Sequence, residues 1–439
     1  MDNQNRYRNT NNKKTAYRSR RRRRKRNRLM PAAVIIIAVI AIIAAIVLII
    51  SSSHKTAENS QAENINGEVA ANTAQPDTQL PEEPRVVSSV TIGSTGDILI
   101  HIPVLDAFWT EEGYDFTDAF TYIAPYYQDV DLMVANLEVP LVDPADGYAY
   151  SSNPFASPDS IAEALKNAGV DICLTANNHS YDMGHYGLIR TQSVLDNLGL
   201  DHIGTRENED EPFVLVKDIN DIRLGMTCYT YDTRDYPDDM KSLNYIMLDE
   251  ADASLVNSFS YSDLEAFYND AAEQIRTMET LGCDVKIFYL HWGQEYMDEP
   301  DEEQIAIAQQ LCDMGVDIII GGHPHVIQKY DILESKSGHQ TICLYSMGNE
   351  LSNQRKELMN EDYYRGYTED GVVFKVTIEK FNNGKVKIRS VDFLPTWVQK
   401  GESYRIIPLD DSLASENWPT FDLEAAIDSY NRTIGRLGL

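Results

Sequence analysis

The stretch VDIIIGGHPHV at 316–326 places two imidazoles, His323 and His325, one residue apart at the end of a short apolar run. Such a run, closed by Gly321 and Gly322, is expected to be a buried strand whose carboxyl end opens into a loop. Glycines permit close backbone approach, Pro324 stiffens the turn and imidazole is a ready metal ligand, so the pair suits metal coordination better than packing. Taken alone, a loop with two solvated histidines would satisfy the same residues.

The arrangement recurs along the chain. Mostly apolar runs at 89–96, 131–135, 171–176 and 285–290 end at Asp97, at Asn136 and Glu138, at Asn177, Asn178 and His179, and at His291. A further run at 341–345 ends near Asn349. In an open α/β sheet the loops beyond the carboxyl ends of the strands are where ligands bind. Asp97, Glu138, Asn178, His179, His291, His323 and His325 are therefore expected to converge on one edge. Donors of mixed carboxylate, amide and imidazole type suit Mn, Fe or Zn and exclude a soft thiolate site. Two such divalent ions would activate water and stabilise charge on a phosphoryl or acyl oxygen. His101, Asn136, Trp292, Glu295 and Asn349 are further candidates for an extra ligand or a substrate contact. For Trp292, Tyr296 and Tyr345, core or rim packing is the alternative.

Positioning these residues requires strands joined by helices. SPDSIAEALKNAG at 157–169 reads as a helix with Ser157 as N-cap, Pro158 at the first helical position and Gly169 as its stop. Helices are also expected at 102–110, 115–123, 185–198, 262–281 and 302–314. Strand, helix, strand with short joins indicates an α/β sheet with crossover connections. Two β-rich runs between 212 and 230 flank a hairpin turn at 218–221. Beyond the opening stretch, antiparallel strands are expected at 327–333, 341–346, 371–379 and 385–394, with a turn at Asn382, Asn383 and Gly384. An amphipathic helix at 421–434 would close the chain.

The formal net charge of −30 hides two opposite regions, because residues 1–30 hold thirteen Lys or Arg and a single acid. The basic run alone would suit nucleic acid, but its neighbour decides otherwise. PAAVIIIAVIAIIAAIVLII at 31–50 has no charged or polar side chain. Its length matches the roughly 20 residues of a membrane span and exceeds the about 7–15 of a signal-peptide apolar region. By the positive-inside rule residues 1–30 form a cytoplasmic tail, no nucleic-acid partner is expected, and the rest of the chain lies outside. Residues 51–88 are polar and poor in large apolar side chains, and read as a disordered extracellular linker averaging roughly 35 Å. One domain at 89–400 and a C-terminal extension with a helix at 401–439 follow. The five cysteines lie singly in apolar runs, as small buried hydrophobes do. An acidic exterior makes capture of a polyanion depend on metal or on local basic groups such as Arg355 and Arg365.

Laid out in this way, the chain resembles the CapA (PgsA-type) poly-γ-glutamate biosynthesis family of the calcineurin-like metallophosphatase superfamily. The resemblance rests on TGDILIH at 95–101, ANLEVPL at 135–141, ANNHSYDMG at 176–184, LHWGQEY at 290–296, GGHPHV at 321–326 and YSMGNE at 345–350. It implies an α/β fold, a metallophosphatase-like two-layer β-sandwich flanked by helices, here preceded by a single transmembrane helix. It further implies that Asp97 and His325 hold one metal and Asn178, His291 and His323 another. Glu138 would bridge the two, and His179 would face the substrate as acid or base. Two positions depart from the wider pattern: Leu99 stands where a histidine is usual, and Glu138 where the bridging ligand is an aspartate. The function implied is a membrane-anchored extracellular metal-dependent enzyme in synthesis, export, transfer or hydrolysis of poly-γ-glutamate or a related anionic envelope polymer. The other classes are a non-catalytic assembly factor of a membrane polymer synthase and an envelope metallophosphoesterase.

Overall fold

The first strand, β1 (Val86–Ile98), starts exposed and is buried on both faces from Ile92 onward, as expected of a strand entering the middle of a covered sheet. The computed structural model describes residues 83–148, 154–233, 240–358, 367–414 and 422–439. The basic tail, the 31–50 span and nearly all of the 51–88 linker lie outside the described residues, among which no helix is long and apolar enough to cross a membrane.

Beside β1 lie β2 (Leu132–Leu137), β3 (Ile172–Leu174) and β4 (Asp201–Ile203), each parallel to its neighbour. The chain then builds a second sheet from β5 (Leu215–Ile219), β6 (Ile222–Tyr231), β7 (Ser258–Phe259), β8 (Val285–His291), β9 (Ile318–Gly322), β10 (Tyr330–Glu334) and β11 (Gln340–Leu344). Its order is β7-β6-β8-β9-β11-β10, with β5 paired to β6. The strands β6, β8, β9 and β11 are parallel, and the β5–β6 and β10–β11 pairs are antiparallel. Finally the chain returns to the first sheet. There β12 (Asn349–Leu351) pairs with the end of β1, and β13 (Asp370–Phe381), β14 (Val386–Lys400) and β15 (Tyr404–Pro408) extend the sheet as an antiparallel meander.

The two sheets share one buried apolar cluster. Val90, Ile92, Leu132, Val134 and Ile172 of the first pack with Leu224, Met226, Ile287, Ile318 and Ile320 of the second. Helices cover the outer faces. On the first sheet these are α1 (Ile102–Ala107), α2 (Ser160–Ala168) and α3 (Gly184–Leu198), which bury Val104, Leu105, Ile161, Leu165 and Leu195. On the second they are α4 (Leu264–Thr280) and α5 (Glu302–Asp313), which bury Phe267, Ile275, Ile307 and Leu311. The result is a mixed α/β fold in which two sheets face each other between helical layers. The last helix, α6 (Leu423–Leu437), sends Leu437 into the cluster between the sheets, so 401–439 is tied to the domain through β15 and α6.

Several elements differ from the sequence-based expectation for local reasons. The helix expected at 115–123 is two single turns, Thr117–Phe120 and Ala124–Tyr127, the second carrying a proline in its first turn. The helix expected at 102–110 stops at Ala107, because Trp109–Thr110 pairs with Gly113–Tyr114. Ser157 does not cap α2. Its N–H donates to the Pro140 carbonyl in a short bridge, and the helix starts three residues later at Ser160.

Candidate metal centre

Parallel pairing sets the site's first pairs of neighbours. Asp97 at the end of β1 is in register with Asn136 of β2, and His291 at the end of β8 with Gly322 of β9. The loop after β3 brings Asn177, Asn178 and His179 to the same edge, all buried. The backbone passes very close to its neighbours here. A Cβ at 321 would fall 1.9 Å from the Tyr345 carbonyl oxygen, and one at 322 would fall 2.8 Å from Asp97 Oδ1. Only glycine permits that approach. His323 and His325 then adopt φ of 93° and 57°, left-handed values that cost a non-glycine residue about 1–3 kcal/mol and are concentrated at functional sites.

Asp97 is fully buried and accepts from Asn136 Nδ2 at 2.7 Å, from the His323 backbone N–H at 3.1 Å and from His325 Nδ1 at 3.1 Å. His325 Nδ1 also lies 3.1 Å from Asn349 Oδ1. Asn136 donates to Glu138 Oε2 at 3.3 Å as well. His291 Nε2 lies 2.7 Å from Asn178 Oδ1 and 3.3 Å from Glu138 Oε1. The donor atoms of Asp97, Glu138 and His325 all fall within 4.8 Å of one another, as do those of Glu138, His291 and His323, so Glu138 is common to both groups. Glu295, itself exposed, forms a third such group with His323 and His325.

The electrostatics favour a cation. Burial, reinforced by the Asp97 carboxylate, pushes Glu138 well above the usual carboxylate range. Burial would also raise Asp97, but the hydrogen bond and charge of His325 outweigh it and hold Asp97 low. Burial presses His291 down to about 3 against the pull of Asp97, and presses His323 well below its ordinary value, aided by His291 and His325. His325 is raised in spite of burial, through its bond to Asp97. The neutral imidazoles of His291 and His323 are ready to act as ligands, and a bound cation would favour the ionised form of Glu138 beside Asp97. Two buried atoms, Glu138 Oε1 and His323 Nδ1, make no hydrogen bond among the described residues, as expected of groups that await a ligand.

His179 stands apart from the donor groups. Its Nδ1 lies 2.8 Å from Asp182 Oδ2, and Asp182 also accepts from the Phe155 backbone N–H at 2.6 Å and from Asn244 Nδ2 at 3.0 Å. The Phe155 ring separates His179 from His101, edge to face with both at 4.6 and 5.0 Å. Burial and then the charge of His325 lower His101 to about 4, and it belongs to none of the donor groups. A cleft of about 510 Å³ opens onto Asn178 and His323 and is walled by Tyr231, Tyr245, Tyr296 and Glu295.

Trp292 does not reach this cleft. It is fully buried on the helix side of the second sheet and donates from Nε1 to the Tyr345 carbonyl at 3.0 Å, and Tyr345 packs there with it. Leu99 sits in the helix-side core of the first sheet, so the usual histidine position contributes no donor. Arg355 is buried and spends its guanidinium on the Val398 carbonyl, away from the cleft lining; Arg365 lies outside the described residues. Sequence reading passed over Asp182, although it stands three residues after His179 in the ANNHSYDMG motif. Tyr231, Asn244 and Tyr245 carried no signal, because nothing local links them to residues so distant in the chain.

The family model described as bacterial capsule synthesis protein PGA_cap matches residues 91–354, which include every donor above. The chain belongs to that family. PGA_cap domains are metallophosphatase-like, in keeping with the paired sheets and the donor groups at their edge. The chain is similar to the capsule biosynthesis protein CapA of Bacillus anthracis, 28% identical over 278 residues, 62% of each chain. It is also similar to the PGA biosynthesis protein CapA of Bacillus subtilis (strain 168), 22% identical over 62% of this chain and 64% of that one. A probable polyglutamine synthesis accessory protein of Mycobacterium tuberculosis is 25% identical over 46% of this chain and 52% of its own. The chain thus spans less than two thirds of the length of these relatives.

Proposed function

We propose that the chain is a membrane-anchored extracellular enzyme of the CapA type, dependent on divalent metal, that acts on poly-γ-glutamate or a related anionic envelope polymer. The observation that carries this reading is the pair of buried donor groups sharing Glu138 inside a PGA_cap domain. Asp97 and His325 would hold one ion, and Asn178, His291 and His323 a second, with Glu138 common to both. The donor set suits Mn, Fe or Zn. When bound, such ions supply Lewis acidity and activate water.

The chain's own residues do the rest. Asp182 collects three donors and so remains an acceptor, which keeps the His179 proton on Nδ1 and leaves Nε2 to take or give a proton at the substrate. Glu295 and Asp301 in the cleft wall, with the acidic exterior, repel a bare polyanion, so binding of the polymer's reacting end would need the positive charge that a bound cation would supply. The apolar stretch 31–50 and the basic 1–30 support anchoring with the domain outside the cell.

A second reading, an accessory of a membrane polymer synthase, draws on Leu99 in place of a metal-binding histidine and on the mycobacterial relative's name. Metal analysis of the full chain in detergent, with assays on poly-γ-glutamate and on phenyl phosphate, separates these readings. Bound metal with polymer turnover that His179→Ala abolishes supports the enzyme. Bound metal with no turnover, and normal polymer in cells carrying His179→Ala, supports the accessory. Turnover of the phosphoester alone makes the protein a phosphoesterase.

A further inference from the structure

We propose that the tip of the hairpin 242–247 is working machinery of this site. Asn244 acts as a positioning residue for His179, and Tyr245 contacts the polymer chain beside its reacting group. This inference rests on the polymer reading above.

The strands Ser242–Leu243 and Ile246–Met247 pair antiparallel around a two-residue loop in which Asn244 and Tyr245 have φ of 48° and 63°. Both central residues of such a turn need left-handed backbone, and glycine is the usual second residue. A tyrosine there is strained. The residue is nevertheless 68% exposed, with its backbone N–H donating to Thr233 Oγ1 at 3.1 Å. Strained positions concentrate where a side chain has work to do.

The direction of the tip shows what that work is. Asn244 Nδ2 donates to Asp182 Oδ1 at 3.0 Å and lies 3.2 Å from His179 Nδ1. Two N–H donors do not bond each other, so what joins them is the carboxylate they share. Asn244 holds one oxygen of Asp182 while His179 takes the other at 2.8 Å. The base of the hairpin is fixed to the same region, for Leu243 packs with Tyr181 and Leu188, from the His179 loop and α3. Tyr245 lines the cleft that Asn178 and His323 open into. A tyrosine ring offers a flat, half-apolar face. It suits the methylene and amide units of a γ-linked chain, while Glu295 and Asp301 on the same lining turn its carboxylates outward.

The test uses the full chain loaded with Mn²⁺, with γ-linked glutamate oligomers and phenyl phosphate as substrates. Tyr245→Gly should keep or raise the melting temperature and raise KM for the oligomers about tenfold with kcat within twofold, the mark of lost uniform binding. Tyr245→Phe, which keeps the ring, should restore KM. Asn244→Gly keeps the left-handed turn but removes the amide, and should lower kcat about tenfold on either substrate with KM within twofold. An oligomer KM that Tyr245→Gly leaves within twofold, or a kcat that Asn244→Gly leaves unchanged, overturns the inference. If the wild type uses phenyl phosphate alone, the polymer reading fails and the Tyr245 contact with it. The kcat of Asn244→Gly on the phosphoester then decides the positioning role.

Discussion

At the scale of single residues the centre is defined by a conflict at Glu138. Its carboxylate is buried beside that of Asp97, and one of its oxygens makes no hydrogen bond among the described residues. Such a group is costly unless a cation completes it. Removing one imidazole from a donor group this small should weaken binding sharply, so His323→Ala is expected to lose metal at least tenfold in affinity, read by calorimetric titration of the apo protein. Full occupancy in that variant would show the assignment to be wrong. His179 is expected to behave differently from its neighbour, because Asn178 faces His291 whereas His179 faces Asp182. His179→Ala should retain metal and fold while losing about 10² to 10⁴ in rate, and Asn178→Ala should lose both metal and rate. Metal content and turnover measured on the two variants side by side check this. Equal metal loss in both would remove the division of labour.

Among the elements, α6 shows how the chain's end is fastened. Arg432 donates to both oxygens of Asp370 on β13, at 2.8 and 2.9 Å, and Ser429 Oγ donates at 2.6 Å. Burial nevertheless raises Asp370 to about 6, above its ordinary value, against the pull of Arg432. Because the folded-state value lies above the unfolded one, ionising Asp370 costs stability. That cost is absent below about pH 4 and complete above about pH 6. Through this group the domain should gain stability as pH falls from 7 toward 4, by at most about 3 kcal/mol for a shift of roughly two units. Urea titrations of the wild type and Asp370→Asn across that range should show the slope in the first and its flattening in the second. An identical pH dependence in both would remove Asp370 as the cause.

For the whole molecule the consequence is topological. If 31–50 spans the membrane with the basic 1–30 inside, the sheets, the cleft and the carboxyl terminus all lie outside the cell. A reporter fused after Leu439 should then be active only if it is one that works outside the cytoplasm. Activity of a cytoplasmic reporter at that position would end the extracellular reading.

How much of this was legible depends on whether the cause is local. Strand ends were readable because a buried run and the polar residue that stops it are adjacent, and so Asp97, Glu138, Asn178, His179, His291, His323 and His325 could be named from their positions alone. Helix stops such as Gly169 were readable for the same reason, and its φ of 108° is one that glycine adopts freely. Ser157 misled because its helix-capping chemistry is local, while the Pro140 bridge that claims it is not. Trp292 and Tyr296 show the same limit. Both are aromatic residues just past β8, yet one faces the α5 side of the second sheet and the other the cleft. The sequence by itself determined which residues end strands and what chemistry they carry. Tertiary structure alone decided that Leu99 faces the core and that a hairpin 65 residues away reaches His179. Those outcomes depend on strand order and sheet packing, which join residues whose separation along the chain carries no trace of their contact.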